Sequence, residues 1–131
     1  MKDEFKKMYP VGADDTTNVD ADTPKLIFYT GTAGTLVANT YQNNIVGIQL
    51  SSTSTMTYAI SNPKPGTKYI IEATGTGTNN RVVTLTGCTA NATGNNTFTL
   101  DAQSESVELT CLSTTRYAIT SNVGTVVFTT V

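Results

Sequence analysis

The sequence predicts an all-β fold: a small antiparallel β-sandwich or barrel-like domain with an extended N-terminal arm. Three observations point there. From Lys25 onward, short β-prone runs recur at roughly 8–12-residue spacing between turn clusters, the pattern of sandwiches and barrels. No stretch carries apolar residues at helical period. Threonine is the commonest residue and only 14% of the chain is charged, which suits strands whose solvent faces are β-branched and neutral. At 131 residues the chain has the size of one domain.

Residues 1–24 differ from the rest. They hold Asp3, Glu4, Asp14, Asp15, Asp20 and Asp22, six of the ten acids, and lack apolar periodicity, so they read as an extended arm ordered by a partner. Phe5 and Met8 could share one face of a short helical turn over residues 1–9, without a cap signal. Lys25-Leu26-Ile27-Phe28-Tyr29 is the first strand-like run, and residues 44–50 follow. In residues 55–60, alternation puts Met56, Tyr58 and Ile60 on one face. Pro63-Lys64-Pro65-Gly66 is a turn, then runs follow at 68–72, 81–86, 97–100, 106–112, 116–120 and 125–131. Within 81–86, Val83 and Leu85 face inward while Val82, Thr84 and Thr86 face outward. Residues 75–80 and 91–96 are turn clusters.

Leu, Ile, Val and Phe together supply only 29 of the 131 residues, close to the roughly 20% below which chains fail to fold. The net charge of −2 argues against disorder, and oligomerisation would supplement the small core. Long Thr-rich edges with few charges invite pairing, so copies of the chain or a partner are expected to cover them.

The composition excludes much chemistry. The chain has no histidine, which removes the commonest general base and metal ligand, and no G-x-S-x-G elbow occurs. No catalytic residues, cofactor or metal site are expected. Asp101, Glu105 and Glu108 lie close in sequence but around a turn and a strand start, where solvated acids are ordinary. Asn18-Val19-Asp20-Ala21-Asp22 begins like a calcium loop but lacks its turn glycine and closing glutamate. Gly75-Thr76-Gly77 lacks the Lys-Ser/Thr of a phosphate loop, and the Asn-Ala-Thr and Asn-Asn-Thr matches at 91–93 and 95–97 are chance in an Asn/Thr-rich chain. Eight basic residues without a cluster beyond Lys6-Lys7 argue against nucleic acid, and no apolar run is long enough to span a membrane. Residues 1–10 lack the apolar stretch of a secretory signal, so the protein is expected to act where it is made or to be already mature. Cys88 and Cys111 are read first as half-buried thiols, with a disulfide between them as the alternative. Tyr58, Tyr69 and Tyr117 sit in strand alternation and are read as packing residues before a sugar-stacking platform.

The run from Pro63-Lys64-Pro65-Gly66-Thr67-Lys68-Tyr69-Ile70-Ile71 through Arg81-Val82-Val83-Thr84-Leu85-Thr86-Gly87, Phe98-Thr99-Leu100-Asp101-Ala102, Glu105-Ser106-Val107-Glu108-Leu109, Arg116-Tyr117-Ala118-Ile119 and Ser121-Asn122-Val123-Gly124-Thr125-Val126 resembles a β domain of bacteriophage virion proteins. Head fibres, capsid decoration proteins and tail-fibre-like subunits carry such domains, and the resemblance covers residues 56–131. It implies a non-enzymatic homotrimer made in the bacterial cytoplasm and displayed on the capsid surface. Residues 1–24 would anchor it to the major capsid protein or another virion protein, with Phe5, Met8, Tyr9, Asp14, Asp15, Asp20 and Asp22 as the contact residues, and residues 25–131 would project outward. A receptor- or glycan-binding module of a tail fibre or adhesin, facing a host-surface glycan, is the alternative.

Overall fold

The computed structural model describes residues 21–51, 54–75, 79–90 and 94–131. The arm residues Phe5, Met8, Tyr9, Asp14, Asp15 and Asp20, the 1–9 turn, the calcium-loop-like start and the 91–93 acceptor triplet lie outside them.

Among the described residues, ten strands form two five-stranded sheets packed face to face. They are β1 (Lys25–Tyr29), β2 (Ala33–Val37), β3 (Ile45–Ser51), β4 (Met56–Ser61), β5 (Lys68–Thr74), β6 (Arg81–Leu85), β7 (Thr97–Leu100), β8 (Ser106–Ser113), β9 (Arg116–Val123) and β10 (Val127–Thr129). One sheet runs β1-β3-β5-β8-β9 and the other β10-β7-β6-β4-β2.

The expected antiparallel arrangement is corrected: both sheets are mixed. The first six strands alternate between sheets, so β1, β3 and β5 are parallel in one and β2, β4 and β6 parallel in the other. Lys25, Val46 and Tyr69 stand side by side in the first sheet, and Ala33, Thr57 and Val82 in the second. The chain therefore winds in coils, at a spacing of 21 to 25 residues (25 to 46 to 69; 33 to 57 to 82). Parallel neighbours need a crossover, and here a strand of the opposite sheet provides it in place of a helix. The last four strands then fold back antiparallel, β7 on β6, β8 on β5, β9 on β8 and β10 on β7.

Alternation holds along the strands. Met56, Tyr58 and Ile60 face the core, as do Val83 and Leu85, while Val82, Thr84 and Thr86 face out. They meet Val46, Ile48, Leu50, Tyr69, Ile71, Val107 and Leu109 of the opposing sheet in one apolar layer. β2 had no strand-like signature, because Ala33-Gly34-Thr35 gives no apolar alternation ahead of Leu36. The last strand is shorter than the run 125–131, because Thr125 is drawn into a turn contact.

The last residues before β1 are hydrogen-bonded to the sandwich. The Ala21 carbonyl accepts from the Asn44 N–H at 2.8 Å and the Thr23 carbonyl from the buried Asn43 side chain at 2.7 Å, so residues 21–24 belong to the body.

Two buried charged residues hold the ends of the sandwich. Arg81, fully buried at the start of β6, donates to the carbonyls of Leu50 at 3.1 Å, Asn79 at 2.7 Å and Thr74 at 2.9 Å. Its guanidinium thus ties the ends of β3 and β5 in one sheet to β6 in the other, a geometry suited to a planar fork of donors. Glu105, expected among solvated acids, is buried. Its Oε2 accepts from the N–H groups of Asp101 at 2.8 Å and Ala102 at 3.3 Å, and its Oε1 from Thr125 N–H at 2.9 Å. It closes the β7–β8 turn and clasps the β9–β10 turn against it.

Candidate functional site

Among the described residues no three of His, Cys, Asp and Glu gather as a metal site, and no helix is long and apolar enough to cross a membrane. Asp101, Glu105 and Glu108 do not converge on a cleft. Asp101 is exposed, Glu105 is consumed by backbone N–H groups, and Glu108 accepts from the Thr120 hydroxyl at 2.8 Å and lies 3.7 Å from Lys68 Nζ. That ion pair is partly exposed and contributes little to stability.

The cysteines are free thiols in the core, each donating to a carbonyl of the β8–β9 turn: Cys88 Sγ to Thr114 at 3.4 Å and Cys111 Sγ to Ser113 at 3.2 Å. Burial pushes both thiols up from their usual range, which disfavours the reactive thiolate. Tyr69 and Tyr117 are fully buried and meet edge to face, ring centroids 5.9 Å apart; Tyr58 is buried against Tyr29 at 5.0 Å. None of the three is available to stack on a sugar.

Burial raises Tyr58 and Tyr69 to about 12, and Tyr117 is pushed up further by burial and by Tyr69 beside it. An unfolded tyrosine ionises near 10, so the folded state keeps its full stability below pH 10 and loses it as pH rises toward 12. Urea unfolding at pH 11 is expected to show a stability roughly 4 kcal/mol below that at pH 8. An unchanged midpoint would mean that the three phenols are hydrated in the folded protein.

What remains is a surface. On the outer face of the first sheet, Leu26 is 78% exposed, Phe28 64% and Ile70 40%. The register makes them one patch: Leu26, Gly47 and Ile70 stand in a row across β1, β3 and β5, and Phe28, Gln49 and Glu72 form the next. Gly47 has no side chain to fill the space between β1 and β5, and Leu26 leans over it; a Cβ there would lie 3.2 Å from Leu26 Cδ2. The result is a shallow hollow of about 600 Å³ walled by Leu26 and Phe28 on one side and Ile70 and Glu72 on the other. The outer face of the second sheet is different. A hollow of about 360 Å³ there is lined by Ala33, Gly34, Thr35, Thr57 and Thr84 and carries no charged side chain.

The run Lys25-Leu26-Ile27-Phe28-Tyr29 read from the sequence as an ordinary strand, and nothing in it announced that two of its apolar side chains would stand in solvent. Among the residues expected to contact a partner, Asp22 is the one described, exposed beside the start of β1. The chain matches no known protein-family model, and no curated protein is significantly similar to it.

Proposed function

We propose that this protein is a non-enzymatic structural subunit of a bacteriophage virion, a capsid decoration or head-fibre component that assembles with copies of itself. The observation that carries this reading is the exposed apolar patch of Leu26, Phe28 and Ile70 on a small β body whose described residues bring no acid–base or metal-binding constellation together. Apolar side chains exposed as a contiguous group mark an interaction surface. The neutral, Thr-lined second sheet and the resemblance of residues 56–131 to virion β domains support it. In those domains the assembly is a trimer displayed on the capsid surface, with the major capsid protein or another virion protein as anchor.

In this reading residues 1–20 make the anchoring contact, since residues 21–24 are tied to the body. A short arm can add a strand to a partner or fill its groove. Deleting residues 1–20 is expected to leave the melting temperature and the oligomer mass unchanged while abolishing incorporation into particles. A truncated chain that still joins particles at the full-length level would remove the anchoring role. The glycan-binding alternative has less support, because Tyr58, Tyr69 and Tyr117 are buried in the core.

A further inference from the structure

Each sheet has two edge strands, and four edges can be compared. In the second sheet, β10 is only three residues long. β2 carries Gly34 at its second position, and the Tyr29 ring lies over it with the hydroxyl donating to the Ala33 carbonyl. In the first sheet, β9 pairs with β8 through two register shifts, between Glu108 and Leu109 and between Cys111 and Ser113, and Thr120, Ser121 and Asn122 in its second half are polar and exposed. Shortness, irregularity and covered polar groups are the ways in which proteins blunt an edge. β1 has none of these three, and the one charge that could blunt it, Lys25, stands at its first position. It is five residues of unbroken register against β3, and among the described residues its other edge has no neighbour.

β1 also complements itself. In an antiparallel pair about a two-fold axis, the register centred on Ile27 overlaps all five residues. Ile27 then faces its own copy, Leu26 faces Phe28 of the second chain, and Phe28 faces its Leu26. Directly opposed residues in such a pair point to the same side, so the four exposed side chains form one apolar strip continuous with the patch around Gly47. The charge pattern selects the direction. The strand's one charge is Lys25 at its end, so an antiparallel pair offsets the two Lys25 backbone positions by about 13 Å along the strands, whereas a parallel pair in register sets them side by side at about 5 Å.

The geometry points to β1 as a two-fold contact between copies of this chain, pairing edge to edge in antiparallel register centred on Ile27. This rests on the proposed structural role and names the partner of its apolar surface: a second copy. The contact is isologous, so it joins two chains, or two trimers, and doubles the mass of whatever unit it links. A five-residue strand makes a small interface of the weak, concentration-dependent class.

The test uses the full chain with two kinds of substitution. Light scattering across a concentration series is expected to show a mass that Phe28→Glu halves, with association weakened by about tenfold or more and the melting temperature unchanged, since Phe28 faces solvent. For register, chains carrying Leu26→Cys are mixed with chains carrying Phe28→Cys under a mild oxidant. The mixture is expected to form a disulfide-linked dimer far faster than either variant alone, while the native cysteines stay buried. Equal cross-linking in the three samples, or a mass unchanged by Phe28→Glu, would overturn the pairing. So would a patch covered instead by residues 1–20 of the same chain, which would show as a wild-type mass that doubles only when those residues are deleted. Phe28→Glu chains that lose the doubled mass and still enter particles normally support the β1 contact and restrict it to solution. A wild-type chain that cross-links as expected yet is absent from particles supports the contact and overturns the virion reading instead.

Discussion

Replacing Arg81 by Met is expected to destabilise the protein by about 3–5 kcal/mol, read as a fall in the urea midpoint followed by far-ultraviolet circular dichroism. The side chain is completely buried and its partners are three carbonyls, of Leu50, Thr74 and Asn79. Met keeps much of the volume but leaves the buried Leu50 carbonyl and the part-buried carbonyls of Thr74 and Asn79 without their donors, and each such group costs about 1–3 kcal/mol, the most where burial is complete. Arg81→Lys is expected to recover little, because one ammonium cannot reach across three carbonyls that a planar fork spans. The damage falls on the junction between sheets, so unfolding should remain a single transition at a lower midpoint. A loss under about 1 kcal/mol would mean that the carbonyls find other donors and that Arg81 is not the clasp described.

Glu105→Ala is expected to cost about 2–3 kcal/mol by the same measurement. Its carboxylate accepts three backbone N–H groups, two from its own turn and one from Thr125, twenty residues further on. These bonds are charge-assisted, and their removal leaves the donors of two turns unpaired at once. The cost should fall below that at Arg81, because the turns lie nearer solvent and water can replace part of what is lost. Gly124 offers an independent probe. Its φ is +90°, and a Cβ there would lie 2.5 Å from Glu105 Cγ. Gly124→Ala should therefore strain the backbone and displace the glutamate together. The double variant should lose less than the sum of the two single losses, because both disrupt one contact. Strict additivity would separate Gly124 from the clasp.

Much of the architecture was legible in the sequence, for a physical reason. Each strand buries one face and exposes the other, so period-two alternation survives in Met56-Thr57-Tyr58-Ala59-Ile60 and in Arg81-Val82-Val83-Thr84-Leu85, and Lys25–Tyr29 and Thr97–Leu100 start and stop where their apolar runs do. The same alternation concealed the direction of the strands. Parallel sheets covered on both faces read as continuous apolar runs. Here the parallel strands are covered on one face only and look like antiparallel ones. β2 escaped notice because its strand character comes from pairing with β4 and from Tyr29 packed over Gly34, both of which lie outside its own five residues. Arg81 and Glu105 looked like ordinary polar residues because their partners are distant: Leu50 lies 31 residues before the first and Thr125 twenty after the second. The candidate surface was hidden for a related reason. Leu26 and Phe28 belong to a run as apolar as any buried strand, and only the strand order places that run at an edge.

The central claim, that this β body is a structural component of a virion, is tested most directly by finding where the chain resides after infection. Particles purified by density gradient and examined by quantitative mass spectrometry, with antibody labelling in the electron microscope, are expected to carry the chain at a fixed copy number on the capsid surface. A chain recovered only as free protein, and absent from intact particles, would contradict the account.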